Sequence, residues 1–409
     1  MESLTEMFRI GYGPSASHTM GPRKAAEIFL RQHQEARRFR VTLYGSLAAT
    51  GKGHLTDEAL TEAFKPYPLE LIWRPDVQLP FHPNGMEFET LDEDGSTSGS
   101  WRVYSVGGGA LKVEGASLLS PEVYELDSMA AIIEKVSKSA QPLWSYVVEK
   151  EGTAIWDYLR DVWHVMQEAV KRGTDAVGVL PGELQLPRKS QSFFLKAKQD
   201  RGSFQRTNLL FAYSLAVSEE NASGGKIVTA PTCGSCGVLP AVFYYLQETN
   251  CLSEKTILQG LATAGLIGNL VKTNGSISGA EVGCQGEIGT ACAMTAGAAV
   301  QLLGGSPHQV EYAAEMGFEH HLGLTCDPVA GLVQIPCIER NAFAATRALD
   351  SAEYALLSDG EHRISFDEVV NTMMQTGHDL KSSYRETSTG GLAAIYPKRI
   401  NKTIRGEQQ

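Results

Sequence analysis

Apolar and polar positions change texture along this chain. Before residue 140, short β-branched and aromatic runs, Arg40-Val41-Thr42-Leu43-Tyr44 and Trp101-Arg102-Val103-Tyr104-Ser105-Val106, are interspersed with helical stretches at 22–34 and 57–63. Turn-rich segments at 80–85 and 92–100 separate them, and the second reads as a hairpin loop from its Asp, Gly, Ser and Thr. From Leu143 to Arg172 the residues Trp144, Val147, Val148, Ile155, Leu159, Val162, Met166 and Val170 recur mostly at helical spacing, which predicts a helix or a helix pair. A loop punctuated by Pro181-Gly182 and Pro187 follows. Beyond it, small-residue runs at 260–268, 289–299 and 342–348 predict closely packed helices. The expected fold class is α+β: a small α/β domain over 1–145, a linker helix and loop over 146–190, and an all-α domain over 191–409. The polar end, Lys402 to Gln409, is expected to fray.

Composition narrows the function. A chain of 409 residues that is 43% hydrophobic can bury two cores. A formal net charge of −11 and no dense Lys/Arg block leave no footprint for nucleic acid or an anionic membrane. No basic segment followed by an apolar one opens the sequence, and its most apolar stretch, Ile288 to Val300, is too short to span a bilayer. A soluble cytoplasmic protein is expected. Seven cysteines, an odd number, suit a reducing compartment and point to metal or redox chemistry rather than to a disulfide framework.

Cys284, Cys326 and Cys337 lie beside or near Gly or Pro, where a loop or helix end can aim a thiolate at a metal. Cys292, inside an Ala-rich helix, reads as inert, and Cys251 opens a helix. Spacing alone does not choose a ligand trio from seven. Thr232-Cys233-Gly234-Ser235-Cys236-Gly237 lacks the second Cys or His pair of a zinc site and the βαβ setting of a redox dithiol. It reads instead as a turn that holds a ligand with backbone N–H groups. The loop Gly13 to Pro22, with Ser15, Ser17, His18 and Thr19 ahead of a helix beginning near Arg23, suits a carboxylate. Gly51-Lys52-Gly53-His54 and His82-Pro83-Asn84-Gly85 add imidazoles and an amide in Gly-rich loops. Ser105-Val106-Gly107-Gly108-Gly109 follows a strand and can bring bare backbone to a ligand.

Together these residues resemble the iron–sulfur L-serine dehydratase family, from the Gly13–Pro22 loop to Tyr384-Arg385-Glu386-Thr387-Ser388-Thr389-Gly390-Gly391-Leu392-Ala393. The most specific stretches are Ser15-Ala16-Ser17-His18-Thr19, Gly279 to Glu287 and His320 to Val329. The resemblance implies an N-terminal domain similar to the substrate-sensing domain of some phosphoglycerate dehydrogenases. It also implies a helical domain in which Cys284, Cys326 and Cys337 hold a four-iron, four-sulfur cluster with one iron open to substrate. His54, with His18 second, is the base it implies. Ser15, Ser17, Thr19, Asn84, Ser105, Gly107 and Gly108 then orient the substrate L-serine, and the assembly implied is a homodimer. From residues alone two rivals stay open: a pyridoxal-phosphate lyase with Lys226 as its imine lysine, and a non-catalytic amino-acid sensor. Threonine also stays open as a substrate, since one methyl is weakly discriminated.

Overall fold

The computed structural model describes residues 1–114, 122–200, 202 and 204–396, so the polar end at 402–409 lies outside the described residues. Strand β1 (Ile10–Tyr12) leads to a helical turn, Ala16–Met20, that runs straight into α1 (Gly21–Gln32). Then come β2 (Phe39–Tyr44), α2 (Gly45–Thr50), α3 (Thr56–Phe64), β3 (Leu69–Arg74), β4 (Gly85–Leu91), β5 (Thr97–Ser105) and β6 (Leu111–Lys112). The sheet order is β3-β2-β4-β5-β6; β2 and β3 are parallel, joined through α2 and α3, and the other pairs are antiparallel. Alternation along β2 decides which face is buried. Phe39, Val41 and Leu43 point into a core shared with Ala25, Ala26 and Phe29 of α1, Leu60 and Phe64 of α3, and Phe88 of β4. Arg40, between them, reaches across the other face to Glu70 Oε2 at 2.9 Å. The hairpin turn expected over 92–100 is shorter, 92–96, closed by Asp92 N–H donating to Ser96 O at 2.9 Å, and Thr97–Ser100 already belong to β5.

The rest is mostly helical: α4 (Met129–Lys138), α5 (Leu143–Glu151), α6 (Ile155–Asp175), α7 (Ser190–Gln199) and α8 (Gln205–Ala222), then β7 (Lys226–Val228). It continues with α9 (Val238–Asn250), α10 (Glu254–Asn274), α11 (Gly279–Val282), α12 (Thr290–Leu302), α13 (Pro307–Glu319), α14 (Cys337–Leu357) and α15 (Phe366–Asp379). The helix pair expected between 143 and 172 is α5 and α6. Helix α12 is buried all round except at Gln301 and packs against α9, α10, α13 and α14, which its Ala, Gly and Thr content permits. A Cβ on Gly317 of α13 would stand 3.2 Å from the Ala296 methyl of α12, so small residues set this helix spacing. No helix among the described residues is long and apolar enough to cross a membrane.

One short strand departs from the expectation of a wholly helical second domain. After Gly224-Gly225, the β-branched Ile227-Val228 pair antiparallel with β1, Ile10 opposite Val228. The N-terminal segment packs with the helices too: Leu4, Met7 and Phe8 are in their core, and the Met1 amino group donates to Tyr124 O at 2.7 Å. The chain therefore begins on the helical body, leaves it after β1 to build the sheet module, and returns at Val123–Tyr124 beside its own start.

Candidate active site

A narrow cavity lies between the two cores. On one wall Cys284 precedes a helical turn that runs into α12, Cys326 sits in the loop after α13, and Cys337 opens α14 after Pro336. On the other stand Ser15, Ser17, His54, Gly107 and Gly108. His18 is directly behind, its ring centroid 4.5 Å from that of His54. Thr19, Asn84 and Ser105 do not line the cavity; they brace what does. Asn84 Nδ2 donates to Ser105 O at 3.3 Å, and Ser105 N–H returns to Asn84 O at 3.0 Å, fixing the strand end from which the glycine loop starts. Gly107 has φ 104° and Gly108 φ 56°, a backbone path that favours glycine and brings main chain to the cavity edge.

The histidines are held by a reciprocal clasp. Thr19 Oγ1, next to His18, donates to His54 O at 2.6 Å, and Thr56 Oγ1, just past His54, donates to His18 O. Ser17 Oγ lies 2.8 Å from His18 Nδ1. His18 Nε2, both ring nitrogens of His54, Asn84 Oδ1 and Ser105 Oγ are buried without a hydrogen-bond partner among the described residues. Such atoms mark a place for a polar ligand. The helix was expected to begin near Arg23; it begins a turn earlier, because Ser15 caps it by accepting from His18 N–H at 3.1 Å. The first-turn amides of Ala16 and Ser17 are thereby left without intrahelical acceptors on the cavity side.

Burial holds the His18 imidazolium pKa down to about 4, and burial with the neighbouring His18 holds His54 well below its ordinary value, so both are neutral at pH 7. This carries a stability prediction. The unfolded chain takes up the His18 proton near pH 6.5 and the folded chain only near 4, so stability from this residue is complete above pH 6.5 and falls on acidification through that window. The loss at pH 5 is about 2 kcal/mol. Urea midpoints of wild type and His18→Asn at pH 7.5 and 5 measure it; equal pH slopes for the two proteins would refute it.

On the thiol wall, a hydrogen bond from the Cys326 thiol, aided by the Arg340 charge, lowers the Cys284 pKa. Cys326 is raised by that bond and by burial, and Cys337 chiefly by burial. Glu287 accepts from Thr232 Oγ1 at 2.8 Å and lies 3.9 Å from Cys326 Sγ. Glu386 completes the lining, and burial followed by the negative Glu287 and Cys284 pushes its carboxyl well up. Glu287, Glu386, Thr232 and Arg340 were not singled out by sequence reasoning, although both glutamates fall inside the stretches that carry the family resemblance. Among the described residues no three His, Cys, Asp or Glu side chains converge on one ion position. The donor set is instead three thiols spread over one wall, which suits a multi-iron cluster better than a single ion.

Other candidates lie elsewhere. Cys233 and Cys236 are buried and raised by desolvation, and their turn contributes Thr232 and the Gly234 backbone to the cavity. Cys251 closes α9 in a left-handed conformation; α10 opens at Glu254 under a Ser253 cap, so the expectation that Cys251 opens a helix is corrected. Lys226 is exposed on β7 and does not line the cavity, which removes the imine-lysine reading.

Comparison with known proteins identifies the family. Residues 46–393 match the family described as Serine dehydratase alpha chain, and residues 3–68 match Serine dehydratase beta chain. The L-serine dehydratase of Streptomyces coelicolor is 40% identical, covering 96% of this chain and 98% of its own. L-serine dehydratase 1 of Escherichia coli K12 is 40% identical with 96% and 99% covered, and the Helicobacter pylori L-serine dehydratase 36% with 96% and 98%. The chain belongs to the serine dehydratase family, with the regions of both the alpha and beta chains in one polypeptide.

Proposed function

We propose that this cavity is where the chain works, with His54 as the base and Cys284, Cys326 and Cys337 as the holders of a four-iron, four-sulfur cluster. The chain deaminates L-serine to pyruvate. The observation that carries the site reading is the meeting, in one cavity, of three thiols from separate segments with the hydroxyls of Ser15 and Ser17 and with His54, both of whose buried ring nitrogens lack partners among the described residues. A cluster held by Cys284, Cys326 and Cys337 would supply Lewis acidity toward the substrate hydroxyl.

The chain's own residues do the remainder. Ser15 and Ser17, with the free amides of the first helical turn, receive the substrate carboxylate, where the helix N-terminus favours an anion. His54, neutral at pH 7, takes the α-proton, and the clasp between the threonines and the histidine carbonyls fixes the backbone that carries its ring. Asn84 and Ser105 hold the glycine loop against the substrate. Loss of water leaves aminoacrylate, which tautomerises and hydrolyses to pyruvate and ammonia. A cytoplasmic homodimer is the setting this reading implies.

Iron and sulfide content and the visible spectrum of anaerobically purified protein, before and after L-serine, test it. About four irons per chain and a spectrum perturbed by serine as pyruvate forms are expected. A colourless, iron-free protein that still binds serine would move the assignment to the sensor reading.

A further inference from the structure

Glu386 takes no part in the chemistry above, yet its carboxylate lines the same cavity as the thiols. Its backbone adopts φ 54°, in the left-handed region that glycine or asparagine enters more readily than glutamate. The conformation is held at Cys326, whose N–H donates to Tyr384 O at 2.7 Å and whose O accepts from Glu386 N–H at 2.8 Å. The chain thus keeps a glutamate in a conformation that does not favour one, in a turn hydrogen-bonded to the loop that carries Cys326.

The charges around it are unbalanced. The Glu386 side chain is 12% exposed, and neither carboxylate oxygen accepts a hydrogen bond among the described residues. The one basic side chain within ion-pair distance among those residues is His18, with Nδ1 at 4.0 Å, and that nitrogen is engaged by Ser17 Oγ. Arg340 is directed to Thr325 O at 2.6 Å and to Asp327. Glu287, the other carboxylate of the cavity, has Thr232 on one oxygen and Cys326 Sγ near the other. A carboxylate this buried is costly without a cation, and the charges that act on it most, Glu287 and Cys284, are negative. L-Serine brings one cation, its α-ammonium.

We propose that Glu386 receives the α-ammonium of the substrate and so restricts the site to α-amino acids over plain β-hydroxy acids. The proposal rests on the cavity being the L-serine site, and the test separates the two. Holoenzyme, Glu386→Gln and Ser17→Ala are compared by the KM for L-serine and the competitive Ki for 3-hydroxypropanoate, which keeps the carboxylate and hydroxyl but has no ammonium. In Glu386→Gln the serine KM rises about tenfold or more, the scale of one charge-assisted hydrogen bond, while the 3-hydroxypropanoate Ki stays within about twofold. In Ser17→Ala both constants rise, because both ligands share the carboxylate. If Glu386→Gln moves both constants equally, or neither, the ammonium assignment is overturned while the site stands. If Ser17→Ala moves neither, the site reading itself falls. Glu386→Asp, which keeps the charge one methylene back, covers the case in which the Gln variant loses its cluster. In a cluster-replete Asp variant, a serine KM that rises while the 3-hydroxypropanoate Ki stays supports the proposal, and two constants that move together, or not at all, overturn it.

Discussion

Cys337→Ser is expected to lower L-serine turnover about a thousandfold, the scale of several kcal/mol of Lewis-acid stabilisation, and to lower bound iron with it. Cys337 opens α14 directly after Pro336, and its thiol faces the cavity that Cys284 and Cys326 also line. A serine hydroxyl there is a poor ligand for iron, so a cluster with two remaining protein thiolates is expected to be lost on purification. Cys292→Ala is the control. Its thiol is buried within α12 and lies 3.5 Å from Ala344 O, away from the cavity, so iron content and turnover stay at wild-type levels even if the helix packing loosens. Full iron and full turnover in Cys337→Ser would remove this cysteine from the ligand set.

His54→Asn is expected to slow turnover by about 10²- to 10⁴-fold, the usual worth of a positioned general base, with iron content and the serine-induced spectral change retained. Both ring nitrogens of His54 are buried without partners, and the residue stands on the cavity wall with His18 behind it. Because burial holds His54 well below its ordinary pKa, the acid limb of kcat/KM belongs below pH 6.5: the base stays unprotonated as pH falls until its depressed pKa is reached. A larger loss from His18→Asn than from His54→Asn would reverse the two roles.

Much of this arrangement can be read from residues in order, and some of it cannot. The alternation of Phe39, Val41 and Leu43 announces β2 and its buried face, and the period from Ile155 to Val170 announces α6, because both signals are local. The short strand β7 escapes such reading, since its three residues make sense only with β1 as a partner more than two hundred positions earlier. The cysteine trio had the same difficulty. Spacing could not separate Cys284, Cys326 and Cys337 from four other thiols, and resemblance to a family chose them. Glu386 lay inside a stretch that carries the resemblance, yet neither route gave it a role. It sits in a turn with no periodicity, and its significance arises from the cavity it faces and from the lack of a strong cation beside it among the described residues. The threonine clasp is likewise tertiary: nothing in the sequence near Thr19 says that its hydroxyl reaches the carbonyl of His54.

The path of the chain around the sheet module has its own consequence. The excursion leaves after β1 and comes back where Val123 and Tyr124 bond to Met1, so its two ends are pinned at neighbouring points on the helical body. A module tied at both ends explores far less volume than one hung from a single linker, and its imidazoles face the thiol wall at a high effective concentration. Their encounter is therefore nearly unimolecular, and the module reaches the thiol wall without a search through solution.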